Sequence, residues 1–216
     1  MRIAVFAAAF PKTSTTFVLD HVTSLLDRGH DVHVFSRPPP PGLPVQSDFH
    51  RYRLADRTHY WHGTPHQRRD LAGRTLRLLG ANPRENARVL LRSFNVLRYG
   101  PRVVGGSLWS YGSAVLSQEP FDVVLAEFGP LGRLAVQLRE LGAFDAPIAT
   151  TWLGYDLTQT IQRFGPRYYA DLFRDGDVQL PLSENFGARL VKFGCPPERI
   201  RIHRVGVRVD QYEFTP

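Results

Sequence analysis

Glu127 is the residue whose position most suggests polar chemistry. It follows residues 121–126, which are apolar except for Asp122 and are predicted to form a strand, and Phe128 and Gly129 come directly after it. A carboxylate at a strand end could orient or polarise a hydroxyl group, and glycine permits close approach of a ligand. A surface glutamate near a helix start would give the same pattern.

A second carboxylate, Asp156, follows the predicted strand 147–152 in the turn Gly154-Tyr155-Asp156. It could face a ligand beyond the end of the strand, or it could cap the next helix, which is a common use of aspartate. The pattern alone fits both roles.

Hydroxyl groups follow the first predicted strand, residues 3–8. The turn after it leads into a helix N-terminus, where backbone amides and the helix dipole could hold an anion. The turn has no glycine, so it is neither a dinucleotide fingerprint nor a P-loop, and a plain capped turn explains it equally well. Its candidate cleft residues are Phe10, Pro11, Ser14, Thr15 and Thr16.

Three further groups of polar side chains carry weaker signals. Ser183 and Glu184 follow the predicted strand 178–182, and Ser183 by itself is best explained as a helix N-cap. Cys195 has no identifiable base nearby, which favours a packed thiol over a nucleophile. Three histidines form the last group, but a glycine and a proline interrupt the helix that would align them, so we expect no metal site there. That group comprises His59, His62 and His66.

Alternating strands and helices would bring these strand ends together. A strand at 3–8, a helix that Ser14 could cap and a strand around Val32 form a βαβ unit. A loop follows at 38–44, and residues 45–66 have no clear assignment. The later predicted strands are 121–126, 147–152, 178–182 and 200–205, and the helices between them are 131–141, 167–173 and 185–193. This order predicts an α/β fold, a Rossmann-like parallel sheet with helices on both faces, which binds ligands at the carboxyl ends of its strands.

An arginine-rich helix is predicted before the second half of the chain. It begins at Asn82, which is followed directly by a proline and three positions later by a glutamate, and it is predicted to run to Tyr99. One face could attract anionic lipid head groups, although a solvated arginine face is the commoner meaning of such a pattern. That face comprises Arg84, Arg88 and Arg92, and the opposite face comprises Leu90, Leu91, Phe94 and Leu97.

The composition limits the class of protein. The chain has 216 residues, of which 43% are hydrophobic and 22% charged, as in a globular protein with a sizeable core. Its net charge of +7 favours an anionic partner, but no recognised motif supports nucleic acid. One cysteine excludes an intrachain disulfide. No apolar run reaches the roughly 18 residues of a membrane span. These features predict a soluble, cytoplasmic protein.

Taken together, the strand-end segments resemble the group 1 glycosyltransferases. These are retaining enzymes of family 4 with the two-domain GT-B fold, and the resemblance is strongest to members similar to exopolysaccharide and colanic-acid transferases. It covers nearly the whole chain except residues 38–110. The matching segments are residues 10–17, 26–32, 127–130, 154–156, 180–184 and, most clearly, 194–207 with Phe214.

Three positions depart from the family pattern. Glu127 stands where a histidine usually precedes Phe-Gly-Pro, Leu153 where a histidine often precedes Gly-Tyr-Asp, and Thr15 where glutamate is usual. Glu127 could still form a hydrogen bond with a sugar, whereas the side chain of Leu153 cannot. The departures therefore predict a different acceptor or weaker catalysis.

The resemblance implies that residues 1–207 form the N-terminal, acceptor-side half of a GT-B enzyme. Residues 208–216 would begin a linker to a C-terminal domain that binds the donor, supplied by the same or another chain. The chain alone would then be incomplete and inactive.

The implied reaction moves a sugar from a nucleotide-sugar donor to a glycan, lipid-linked or small-molecule hydroxyl, without a metal or a tightly bound cofactor. Glu127 and Asp156 would orient or polarise the acceptor, and the turn after the first strand would lie near the donor phosphates. The remaining implied cleft residues are Phe128, Gly129, Gly154, Tyr155, Ser183 and Glu184.

A non-catalytic role stays open at this point. The chain could be a glycan-binding or scaffold subunit that pairs with a transferase, and the missing histidines and missing donor domain favour that alternative. In either case the expected location is the cytoplasm, with the arginine face as the candidate contact to the inner face of the membrane.

Overall fold

The centre of the molecule is a parallel sheet. A computed structural model of the chain describes residues 1–12, 15–39, 42, 44–61 and 65–206, and at residues 65–69 and 102 it describes only the backbone. The strands within these ranges are β1 (Arg2–Ala9), β2 (Asp31–Arg37), β3 (Thr58–Tyr60), β4 (Val123–Glu127), β5 (Ile148–Trp152) and β6 (Val178–Pro181). They pair in the order β3-β2-β1-β4-β5-β6, always in parallel.

Helices connect the strands. In the described part of the chain the α-helices are α1 (Thr16–Asp27), α2 (Ser47–Arg51), α3 (Pro65–Ala81), α4 (Pro83–Arg92), α5 (Val96–Tyr99), α6 (Ser107–Leu116), α7 (Gly129–Leu141), α8 (Gln159–Phe164), α9 (Ala170–Asp175) and α10 (Glu184–Lys192). Short 3-10 helices lie at Leu54–Arg57, Pro101–Gly105, Tyr155–Leu157, Pro166–Tyr169 and Pro197–Arg199. None of the helices described is long and apolar enough to cross a membrane.

Two apolar cores lie on opposite faces of the sheet. On one face, Phe6 and Trp152 pack among buried residues of α3, α4, α6, α7 and α9. On the other, Val5 and Val34 pack under α1 and α2. A strand buried on both faces must be apolar throughout, which is why β1 could be predicted from sequence. The Rossmann-like α/β fold is confirmed.

Two glycines bring α7 very close to β5. A Cβ atom at Gly129 would lie 2.5 Å from the Trp152 ring, and one at Gly132 would lie 2.4 Å from Thr150 Oγ1. Only residues without a side chain fit at this distance, and the approach fixes where α7 begins relative to the end of β4.

The predicted arginine-rich helix is shorter than expected. It is α4, which ends at Arg92, and a turn separates it from α5. The Ser93 hydroxyl donates to the Leu90 carbonyl, and the Asn95 side chain accepts from the amide of Arg98 to begin the next helix. The prediction that Leu90, Leu91, Phe94 and Leu97 form one face opposite the arginines is also wrong, because Phe94 and Leu97 lie beyond the end of α4 and Leu91, seven positions after Arg84, lies on the arginine face.

Other segments also differ from the sequence predictions. The segment predicted as a strand at 200–205 forms only an isolated bridge between Ile200 and Gln179, although it runs extended beside β6. The predicted helix at 167–173 is a 3-10 turn followed by α9, and the unassigned residues 45–66 contain α2 and the edge strand β3. The proposed linker at 208–216 lies outside the described residues.

Candidate functional site

Glu127 lies at the carboxyl end of β4 and is only 1% exposed. It pairs in register with Thr151 of β5, whose hydroxyl donates to Glu127 Oε2 at 2.6 Å. On the other side, Nδ1 of His21, from α1, lies 3.0 Å from Glu127 Oε1. Two strands and a helix thus converge on one carboxylate.

The contact with Glu127 sets the hydrogen-bonding state of His21. An ionised carboxylate can only accept hydrogen bonds, so Nδ1 of His21 carries the proton that it donates, and in the neutral ring Nε2 is then an acceptor. The side chain of His21 is 24% exposed and lines a cleft. The site therefore offers an imidazole whose Nδ1 is held by a buried carboxylate.

His203 stacks on His21. The ring centroids lie 5.6 Å apart at an interplanar angle of 25°. The amide of His203 donates to the carbonyl of Pro181 at 3.0 Å, which anchors the segment after β6 beside that strand. Burial lowers the pKa of His203, and the charge of His21 lowers it further, whereas Glu127 raises it. The burial of this ring therefore favours its neutral form.

The histidines line a cleft of about 420 Å³ at the carboxyl edge of the sheet. Its walls are α1, the ends of β4, β5 and β6, and residues 203–206. Phe17, Leu153 and Leu180 give it an apolar wall, while Arg28 and Arg204 bring positive charge. A cleft with apolar walls and a few convergent polar groups is the usual form of a small-molecule site.

A second cleft of about 250 Å³ lies on the other side of Glu127. It is lined by Lys12 and Thr15 of the turn after β1 and by Phe128 and Tyr155. Phe128 has a φ of 76°, which is uncommon for a residue with a side chain. Its ring lies 5.1 Å from that of Tyr155. Among the described residues, Glu127 is the one that lines both clefts.

Asp156 does not reach either cleft. It is fully buried, and its carboxylate accepts from the amides of Gly154 at 2.9 Å, Leu157 at 3.1 Å and Gly129 at 3.3 Å. Burial raises its pKa, while these amides counteract part of the rise. The carboxylate joins the turn after β5 to the first residue of α7, so it positions backbone rather than a ligand.

The remaining predicted residues divide between core, cleft and cap. Phe10 is buried against Phe49, with ring centroids 5.7 Å apart, and Pro11 is also buried. Thr16 is the exposed first residue of α1, and Ser14 lies outside the described residues.

Ser183 caps α10, because its side chain accepts from the amide of Phe186, and Glu184 is exposed beside it. Gly154 has a φ of 140° that favours glycine in the turn before Asp156. Ser183 and Gly154 thus shape the backbone next to the clefts.

His21, Thr151 and His203 were missed as site residues. His21 comes from a helix, and its contact with Glu127 spans 106 positions of sequence. A signal existed in α1, where cleft-lining residues recur at helical spacing on one face. These residues are Phe17, Asp20, His21, Ser24 and Arg28.

Metal and thiol chemistry find no support among the described residues. No group of three or more histidine, cysteine or acidic side chains in that part of the chain could hold a metal ion. His59 contacts His33, at 2.9 Å between ring nitrogens, while His62 and the side chain of His66 lie outside the description. Burial raises the pKa of Cys195 to about 11, which fits a packed thiol.

A parallel α/β sheet with a polar cleft at its carboxyl edge defines one Rossmann-like domain of the kind found in GT-B proteins. The chain belongs to the glycosyl transferase 4-like domain family, whose profile matches residues 13–206.

Curated relatives lie in bacterial polysaccharide synthesis. The chain is 34% identical to the putative colanic acid biosynthesis glycosyltransferase WcaL of Salmonella typhimurium, covering 100% of this chain and 52% of that protein. It is 31% identical to the amylovoran biosynthesis glycosyltransferase AmsK of Erwinia amylovora, covering 99% and 53%. The chain therefore spans about half the length of these relatives.

Solved structures share the fold at low sequence identity. Anabaena Alr3699/HepE, determined in complex with UDP and glucose, superposes with a TM-score of 0.59 at 11% identity, over 100% of this chain and 47% of that one. The lipopolysaccharide outer core galactosyltransferase WaaB gives a TM-score of 0.53 at 10% identity, over 94% and 45%. At these identities the likeness concerns the fold alone.

Proposed function

We propose that this chain is the acceptor-side half of a retaining glycosyltransferase that uses a nucleotide-sugar donor. The observation that carries the proposal is the pair formed by Glu127 and His21 in the cleft at the carboxyl edge of the sheet. Membership of the family supports the reaction class, and the match to about half of each curated relative supports the assignment as one of two domains.

In the proposed reaction, a bond forms between an acceptor oxygen and the anomeric carbon of the donor sugar. The bond from that carbon to the donor phosphate breaks, and the hydroxyl proton passes to the departing phosphate. Nε2 of His21 accepts a hydrogen bond from the acceptor hydroxyl, which orients the oxygen and increases its electron density. Glu127 fixes the ring by accepting a hydrogen bond from Nδ1, which keeps Nε2 turned toward the acceptor hydroxyl.

The neighbours of the pair have supporting roles in this proposal. Thr151 holds the second carboxylate oxygen of Glu127, so the carboxylate cannot rotate away from His21. Arg28 and Arg204 would contact anionic groups of a ligand in the larger cleft. Asp156 is a positioning residue, because it holds the first amide of α7 next to Glu127. The other half of such a two-domain enzyme would supply most of the stabilisation of the leaving phosphate.

The proposed position of His21 also accounts for the departures from the family pattern. Glu127 and Leu153 both line the larger cleft, and neither can supply the imidazole that the resemblance leads one to expect there. His21 and His203 place two imidazoles in the same cleft from other elements. We infer that they take over the contact with the acceptor.

The proposal is tested by assaying transfer with the chain alone and with the chain fused to the unmatched half of the Salmonella relative. A panel of nucleotide sugars and polysaccharide-type acceptors is used with both proteins. We expect transfer only from the fusion. Transfer at full rate by the isolated chain would overturn the half-enzyme assignment.

A variant of the fusion tests the site itself. His21→Asn should lower kcat/KM by about 10²-fold or more, since a positioned general base or hydrogen-bonding group contributes 10²–10⁴-fold. His30→Asn is the matched control, because His30 follows the same helix but lines neither cleft. Equal activity of the two variants would refute the role of His21.

A further inference from the structure

A second surface of the molecule combines exposed apolar side chains with the guanidinium groups of three arginines. We call it the arginine–leucine surface. It comprises Arg84, Arg88, Leu91 and Arg92 of α4 and Phe94, Val96 and Leu97 of the turn and helix that follow. Leu91 is 75% exposed and Leu97 is 101% exposed. A contiguous group of large apolar side chains held out in water marks an interaction site.

Among the described residues, no acidic side chain pairs with the arginines of this surface. Arg84, Arg88 and Leu91 lie on one face of α4, because residues four and seven positions apart superimpose along a helix. Arg84, Arg88 and Arg92 form no ion pair within the part of the chain that the structure describes. Glu85 is the one acidic residue of α4.

The arginine–leucine surface lies far from the candidate site. Arg98 of α5 forms a two-pronged ion pair with Glu140, at 2.8 and 3.0 Å, in the last turn of α7. Helix α7 begins at Gly129, directly after Glu127 and Phe128, and its 13 residues run back along the sheet. At 1.5 Å per residue its length is about 20 Å. The arginine–leucine surface therefore lies near the amino ends of the strands, whereas the clefts lie at the carboxyl ends.

We propose that the arginine–leucine surface docks the protein onto an anionic membrane. The leucines at the end of α4 and in α5 would enter the interfacial layer, while the guanidiniums pair with lipid phosphates. The apolar side chains protrude from a helix end rather than line a groove, which fits insertion into lipid. A second copy of the chain would bring arginine against arginine, so charge disfavours self-association. The proposal stands on this surface alone and does not depend on the proposed function.

Vesicle sedimentation of the 216-residue chain tests the proposal. We expect binding to vesicles of phosphatidylglycerol mixed with phosphatidylcholine, and little binding to phosphatidylcholine alone. The variant Arg84→Gln/Arg88→Gln/Arg92→Gln should bind about 100-fold more weakly, since each basic residue near an anionic surface contributes about fivefold. Leu91→Ser/Leu97→Ser should lower binding by about tenfold or more.

Matched variants control for net charge and for surface polarity. Arg51→Gln/Arg163→Gln/Arg167→Gln removes the same charge from other exposed positions, and Val45→Ser/Val191→Ser removes exposed apolar groups elsewhere. Both should bind vesicles like the unaltered chain. The proposal is overturned by equal binding to neutral and anionic vesicles, or by equal losses in the control variants. A dimer that Leu91→Ser/Leu97→Ser dissociates, without vesicle binding, would instead identify a contact between copies.

Discussion

Replacing Gly129 by alanine tests how closely α7 must approach β5 for the candidate site to form. The new methyl carbon would lie 2.5 Å from Cζ3 of Trp152 and 2.8 Å from Cε1 of Tyr169. Carbon atoms pack at about 3.5–4.0 Å, so one of the groups must move by about an ångström. Trp152 and Tyr169 are both fully buried, with ring centroids 4.9 Å apart, which leaves them little room.

The expected cost follows from this overlap. Adding a methyl group to a well-packed core costs about 1–3 kcal/mol, and two fixed rings place Gly129→Ala in the upper part of that range. Alanine has a better helix propensity than glycine, but at the first residue of α7 this offsets less than about 1 kcal/mol of the loss. We therefore expect a loss of about 2 kcal/mol in the free energy of unfolding, or roughly 4–8 °C in Tm for a domain of this size.

Urea and thermal unfolding of two variants would measure the effect. Gly73→Ala is the control, since Gly73 lies in α3 with no heavy atom within 4 Å of its added Cβ. That substitution should stabilise the chain by about 0.5–1 kcal/mol through helix propensity. Equal or higher stability of Gly129→Ala than of the unaltered chain would refute the close packing of α7 on β5.

Two further predictions concern buried polar groups. Asp156→Asn should lower the free energy of unfolding by about 1–3 kcal/mol in urea, because the new amide group would face backbone donors at Gly129, Gly154 or Leu157. Glu184→Gln, at an exposed position, should have little effect, and equal losses in the two variants would contradict the role of Asp156. Burial, with neighbouring positive charge, lowers the pKa of His59 from 6.5 to about 4, so the folded state binds fewer protons than the unfolded state between these values. Stability should therefore fall as the pH falls through this window, His59→Gln should flatten the dependence, and an unchanged pH profile in that variant would rule out His59 as the cause.

Sequence patterns predicted β1, β2, β4, β5 and β6, most clearly where a strand buried on both faces is apolar along its whole length, but they missed the short edge strand β3. Glu127 could be singled out for the same reason, as a charge at the end of such a strand. Its partner His21 could not, because nothing local connects a helix residue to a strand end 106 positions away. The role of His203 could not be predicted either. The segment that contains it was predicted as a strand, whereas it is an extended segment beside β6.

Asp156 shows a different limit of sequence reasoning. An acid after a glycine turn can face a ligand or hold backbone amides, and the pattern of residue types is the same in both cases. Burial decides between them, and burial depends on α7 and the turn after β5 packing together. The early end of α4 has a comparable cause, because Ser93 and Asn95 form local hydrogen bonds that compete with a continuous helix.

The most direct test of the account is a double-mutant cycle of His21→Asn and Glu127→Gln, measured as kcat/KM in the fused enzyme. If Glu127 acts by holding His21, its substitution should matter only while the imidazole is present. We predict that the double variant is no slower than His21→Asn alone, with a coupling free energy of about 1–3 kcal/mol between the two residues. Losses that multiply in the double variant would contradict the account, because they would mean that Glu127 and His21 act independently.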